Sequence, residues 1–312
     1  MMKKPVSITV WMIFLIAVMN GCGSGATDPA PSLPTVLSPT NTPVLSVPTA
    51  TPQAPALQVG TAITAVLAQN EPRPVTSTVG LYSDRGAADA CVTAAEKMFQ
   101  WMGCAVERIY ADTVNDDNLD RFGLLYFPGG SSGPYKNNIS SEGREKIRQF
   151  VGAGGCFIGT CAGALFAAER IVWEGKEDLQ DTLALFPGTV AGPISAIYAD
   201  PEYGMCQVDL VKPHPITDRE PDSLAILYYN GPFFEPNPDA RVDIIGAYQI
   251  TGQPALVAFE YGRGRVFLTG PHPEWEEDDS RDAVSYFDRF EDRESDWDLM
   301  RAATQWCLGG ME

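Results

Sequence analysis

The chain is poor in histidine and in positive charge, and each shortage narrows what it can do. Only two of its 312 residues are histidines, so a catalytic imidazole must be His214 or His272. No paired His or Cys spacing of the zinc-site kind is present, so no metal site and no cofactor are expected. Lysine and arginine number 22 against 40 acidic residues, a formal charge of −18, and acid crowds residues 274–298. That balance argues against nucleic acid or an anionic lipid surface as a partner. No internal repeat is visible.

What is present begins with an address. Residues 1–21 read as a secretory signal: Lys3 and Lys4, an apolar run over 6–19, then small residues before Cys22. The apolar run is too short to span a bilayer comfortably as a permanent helix. Met19-Asn20-Gly21-Cys22 resembles a bacterial lipobox, which implies cleavage before Cys22 and lipid on its thiol; an ordinary cleaved signal with a spare Cys22 is the plainer alternative. Residues 22–75 are rich in Pro, Thr, Ser and Ala and start almost without charge or aromatics, a disordered tether with a coiled reach of ~40 Å. The expectation is a protein held on a bacterial membrane by Cys22, with its domain, residues 76–312, outside the cytoplasm.

That domain reads as alternating strands and helices. Strand-like runs fall at 75–83, 105–110 and 124–127, and a helical stripe of Ala88, Cys91, Val92, Ala95, Phe99 and Met102 ends at Gly103. Ser140 or Ser141 caps a helix to about 151, and a fourth strand leads to 156–158. Further strands are expected at 208–211, 225–229 and 265–269, a hairpin at 243–250 and 255–261, and terminal helices at 282–290 and 296–308. This spacing predicts an α/β fold, a single doubly wound domain with a mostly parallel sheet and helices on both faces. Ligands in such sheets bind beyond the carboxyl ends of the strands.

One stretch stands at such an end. Gly155-Cys156-Phe157-Ile158-Gly159-Thr160-Cys161-Ala162-Gly163-Ala164-Leu165 runs from a buried strand into a helix-like segment, 165–169, through small residues around one thiol. A sharp strand-to-helix turn presents a nucleophile, and unpaired N–H groups at a helix start favour a thiolate. A buried structural cysteine is the alternative. His272 follows a strand, with Glu274 on the same face of extended chain, so the carboxylate can orient the imidazole while its other nitrogen takes a thiol proton. Gly129 and Gly130 offer approachable N–H groups that, with Ala162 N–H, could bind an oxyanion. Asn230 follows a strand and reads either as a substrate contact or as a turn residue. His214 reads as a loop residue that fixes local structure. Of the other cysteines, Cys91 and Cys104 sit too far apart along one helix to pair, and Cys156 cannot reach Cys161, so any disulfide is non-local.

Phe127-Pro128-Gly129-Gly130, Gly159-Thr160-Cys161-Ala162-Gly163 and His272-Pro273-Glu274 together resemble the class I glutamine amidotransferase superfamily in order and spacing. Within it, Gly159 to Ala164, Tyr229-Asn230-Gly231-Pro232 and Gly270 to Glu274 are most similar to the family named for the N-terminal domain of biotin–protein ligase. The resemblance implies a flavodoxin-like fold, nucleophile Cys161, base His272, orienting Glu274 and an oxyanion site near Gly130 and Ala162. Glutamine-hydrolysing members usually carry Gln four residues after the nucleophile, where this chain has Leu165, which argues against glutamine. The expected activity is cysteine-dependent hydrolysis of an amide or related acyl bond in a small-molecule or peptide substrate. The alternative is a non-catalytic ligand-binding module on the same scaffold.

Overall fold

The computed structural model describes residues 77–178, 181–276, 280–290 and 295–309. The expected signal, Cys22 and the tether lie outside these residues. Among the described residues no helix is long and apolar enough to cross a membrane.

In chain order the elements are β1 (Thr78–Tyr82), α1 (Asp89–Trp101), β2 (Ala105–Ile109), α2 (Ala111–Asp116), β3 (Leu124–Phe127), α3 (Ser132–Asn138), α4 (Ser141–Gly152), β4 (Cys156–Thr160) and α5 (Ala162–Ala167). There follow β5 (Ala168–Trp173), β6 (Lys176–Asp178), β7 (Phe186–Gly192), β8 (Gly204–Leu210), β9 (Ser223–Tyr228) and β10 (Phe233–Pro236). The chain closes with β11 (Asp243–Tyr248), β12 (Pro254–Tyr261), β13 (Gly264–Thr269), a short 3-10 turn (Ser280–Asp282) and α6 (Asp296–Cys307).

The main sheet runs β2-β1-β3-β4-β13-β12-β11-β8-β9. From β2 to β13 every pairing is parallel, and from β13 to β9 every pairing is antiparallel. β3 and β4 are apolar and fully buried along their length because both faces of the sheet are covered. Their side chains alternate: Tyr126 and Ile158 pack with α1 and α6, whereas Phe127 and Phe157 pack with α4 and α5. The expected α/β domain with a large parallel centre and helices on both faces is therefore found. Gly103 ends α1 with φ 89°, and the Ser140 hydroxyl caps α4 by accepting from Gly143 N–H at 3.0 Å.

Two local expectations fail for tertiary reasons. The helix expected over 165–169 stops at Ala167, because 168–173 pair with β7 and β6 in a second sheet, β10-β7-β5-β6. Helix α3 brings Tyr135 into the core, its hydroxyl donating to the Pro128 carbonyl at 2.9 Å. The helix expected over 282–290 does not form. There the Asp282 carboxylate accepts from Val284 N–H (2.8 Å) and Glu276 N–H (3.2 Å), and Ala283 takes φ 61°. A side chain that bonds its own neighbouring backbone replaces the helical ladder.

A non-local disulfide is present: Cys156, which opens β4, is bonded to Cys307, which ends α6, across 151 residues. Closing so long a loop in the unfolded chain carries an entropic benefit on the order of 3–5 kcal/mol. Cys307→Ser is expected to lower the denaturant midpoint under non-oxidising and oxidising conditions alike, while wild type matches it only after reduction.

Burial and the nearby Asp298 raise the Glu220 carboxyl to about 7, although Arg301 and Lys212 oppose the shift. An acid raised on folding binds more protons folded than unfolded, so stability falls as pH climbs from its ordinary value toward 7. Glu220→Gln should match wild type in melting temperature near pH 4, gain on it between pH 4.5 and 7, and keep a constant lead above. A lead already full at pH 4 would contradict this.

Candidate active site

Close backbone approach builds the nucleophile position. Cys161 follows β4 with φ 49° and ψ −102°, a conformation that non-glycine residues rarely hold and that clusters at functional sites. Its N–H donates to the Thr269 carbonyl at 2.9 Å, and its carbonyl accepts from Leu165 N–H at 3.0 Å. α5 can begin here because Gly163 lies against β3: a Cβ on it would stand 2.0 Å from the Phe127 carbonyl oxygen. The thiol-bearing residue is 6% exposed, at the carboxyl end of a central parallel strand. Ala162, fully buried, is the first helical residue, and its N–H belongs to the turn that lacks intrahelical partners.

β13 delivers the base to the same rim. Beyond Thr269 the Thr269 hydroxyl donates to the Pro271 carbonyl (2.8 Å), and His272 N–H donates to the Leu227 carbonyl (2.8 Å). The His272 ring is thereby aimed so that Nδ1 lies 2.9 Å from Glu274 Oε1, with both side chains buried. Glu274 is held in turn by Trp297, whose Nε1–H donates to its backbone carbonyl at 2.9 Å. Trp275 stacks on the imidazole, centroids 4.4 Å apart and planes within 10°. Burial alone would lower the His272 pKa, but the Glu274 carboxylate and the adjacent Cys161, by charge and by a hydrogen bond, raise it well above its ordinary value. The set is arranged to hold a protonated imidazole beside the sulfur of Cys161.

The Gly-Gly turn closes the third side. Gly130 has φ 139°, and a Cβ there would stand 2.0 Å from the Gly86 carbonyl oxygen. Gly129 accepts from Ala88 N–H at 3.0 Å and presses on the base, since a Cβ on it would stand 2.4 Å from His272 Cε1. Asn230 takes φ 49°, its Nδ2 donates to Asp200 Oδ1 at 2.7 Å, and its buried Oδ1 has no partner. A cavity of about 910 Å³ opens onto these groups; Gly130, Cys161, Leu165, Asn230, His272 and Trp275 are in its wall, and Gly129 and Ala162 are not. His214 is elsewhere, its Nδ1 accepting from Ile216 N–H at 3.2 Å in a loop, as expected of a structural residue.

Two features of the site carry no signal in the sequence pattern. Cys91, which reads as part of the apolar stripe of α1, places its Sγ 3.9 Å from His272 Nδ1, and burial pushes its thiol up to about 12. Its sulfur, His272 nitrogen and a Glu274 oxygen lie within 4.8 Å of one another. The second feature is an aromatic wall: Phe287 lies 4.0 Å from Trp275, and Tyr203 joins Phe287 to Tyr229.

Residues 77–302 match the family described as "Biotin-protein ligase, N terminal". The biotin–protein ligase of Schizosaccharomyces pombe is 29% identical over 221 residues, which is 62% of this chain and 33% of that protein. An uncharacterized protein of Chlamydia muridarum is 32% identical over 161 residues, 49% of this chain and 60% of that protein. The chain thus spans less than two thirds of either relative. Among solved structures, a glutamine amidotransferase superposes with TM-score 0.52 at 17% identity, covering 74% of this chain and 98% of that one. PurLQS from Thermotoga maritima gives 0.53 at 16%, covering 74% and 99%. At such identity these two establish the fold, that of class I glutamine amidotransferases.

Gly129→Ala should lower stability by about 1–3 kcal/mol, because its methyl group must displace the imidazole or the turn. Gly133→Ala, which meets nothing within 4 Å, should leave the denaturant midpoint in place. Equal midpoints for both variants would contradict the seating of His272 against this turn.

Proposed function

The chain belongs to the family of the biotin–protein ligase N-terminal domain, and on that premise we propose that it is a cysteine-dependent hydrolase of an amide or related acyl bond. We also propose that it acts outside the bacterial cytoplasm, tethered to a membrane through Cys22. The observation that carries the hydrolase reading is the meeting of Cys161 with the His272–Glu274 pair at one rim from two separate parts of the sequence.

Glu274 engages Nδ1 of His272, which leaves Nε2 to take the Cys161 proton. The thiolate attacks the acyl carbon, and the carbonyl electron pair moves to oxygen. The N–H groups of Gly130 and Ala162 are the donors at that rim that can hold the oxyanion. Collapse breaks the C–N bond, the imidazolium gives its proton to the leaving amine, and a thioester remains on Cys161. Water then attacks the thioester with His272 again as base, and acid and thiol are released. Leu165 puts an apolar surface in the cavity wall beside the nucleophile, which supports a substrate other than glutamine.

A panel of small amides, peptides and cell-wall fragments would be screened for turnover by the full chain. Cys161→Ala should abolish every activity found, and His272→Ala should lower kcat by about 10²–10⁴. Turnover that survives Cys161→Ala would refute the mechanism. Specific binding with no turnover in wild type would favour a ligand-binding module instead.

A further inference from the structure

The proposed hydrolysis uses Cys161, His272 and Glu274 and leaves Cys91 without a task. Cys91 is nevertheless held 2% exposed against the far nitrogen of the base. We propose that Cys91, His272 and Glu274 form a binding site for a thiophilic divalent cation, zinc by preference, with water at the remaining position.

The distances suit an ion. Cys91 Sγ is 3.9 Å and Glu274 Oε1 2.9 Å from His272 Nδ1, and the three ligand atoms lie within 4.8 Å of one another. Points that close can all stand roughly 2–2.5 Å from one centre, the range of zinc bonds to sulfur, nitrogen and oxygen. The charges suit it too. One thiolate and one carboxylate neutralise a divalent cation, and a buried group of ligands tolerates little residual charge. Sulfur with imidazole favours zinc over magnesium or calcium.

An independent sign is the other oxygen of the same carboxylate. Glu274 is 0% exposed, and its Oε2 has no hydrogen-bond partner. An unpartnered buried carboxylate oxygen carries a desolvation cost that a cation would remove. The outer contacts are also in place: Trp297 braces the Glu274 backbone, and Trp275 covers the imidazole face. The cavity that reaches Cys91 and His272 supplies an entry path.

Zinc on Nδ1 keeps the imidazole proton on Nε2, where it can no longer accept the proton of Cys161. Binding releases the Cys91 thiol proton and the Nδ1 proton of His272 to solvent and forms a reversible, base-blocked state. The binding stands on the geometry; only its inhibitory consequence rests on the hydrolase reading.

Two measurements on the full chain test it. X-ray absorption at the zinc edge, on zinc-loaded protein freed of excess metal, should show one sulfur at about 2.3 Å beside nitrogen and oxygen. A first shell without sulfur would overturn the site, whatever any variant does. Cadmium titration should give a sulfur-to-cadmium absorption band that saturates at one equivalent. The band should persist in Cys161→Ala and need at least about tenfold more cadmium in Cys91→Ser and Glu274→Gln, each with wild-type circular dichroism. Undiminished affinity in Cys91→Ser would also overturn it. Neither readout uses turnover. Zinc bound as described without hydrolysis of any amide removes only the hydrolase reading, and hydrolysis without sulfur-bound zinc removes only this one.

Discussion

A single hydrogen bond, from Cys161 N–H to the Thr269 carbonyl, joins the two parts of the chain that the site depends on. It continues the parallel register of β4 and β13, in which Thr160 lies beside Thr269. Because the register is parallel, whatever follows each strand emerges on the same rim. Cys161 follows one strand directly and His272 follows the other by three residues, although 111 positions separate the two in sequence. An antiparallel pairing here would have sent them to opposite edges of the sheet.

The rest of the site adapts to that junction. Cys161 can hold its left-handed backbone because its neighbours are small: Gly159 and Gly163 let β4, α5 and β3 meet backbone to backbone. The imidazole is held on three sides, by Glu274 at Nδ1, Trp275 on its face and Gly129 at Cε1. A side chain held this way needs little reorganisation, which is what the proposed role of base would require.

The parallel half of the fold was legible in the sequence because its signals are local. β3 and β4 are continuous apolar runs bounded by glycines, and Gly103 and Ser140 punctuate the helices where expected. The grouping of Cys161 with His272 and Glu274 was legible because histidine is so scarce that His272 had little competition. What escaped depends on distant partners. Ala168 to Trp173 became a strand because β7 and β6 receive it, and residues 282–290 lost their helix to the carboxylate of Asp282. Cys91 looked like any apolar-stripe residue, since nothing near it in sequence reveals a histidine 181 positions away. The partner of Cys156 was hidden for the same reason.

α6 touches both arms of the site without entering it. Cys307 at its end is bonded to Cys156 at the root of the strand that carries the nucleophile. Trp297 at its start holds the backbone of Glu274, which orients the base. The two arms therefore share one lever: a displacement of α6 would be felt at once by the strand below Cys161, through the disulfide, and by the Glu274 backbone, through the indole.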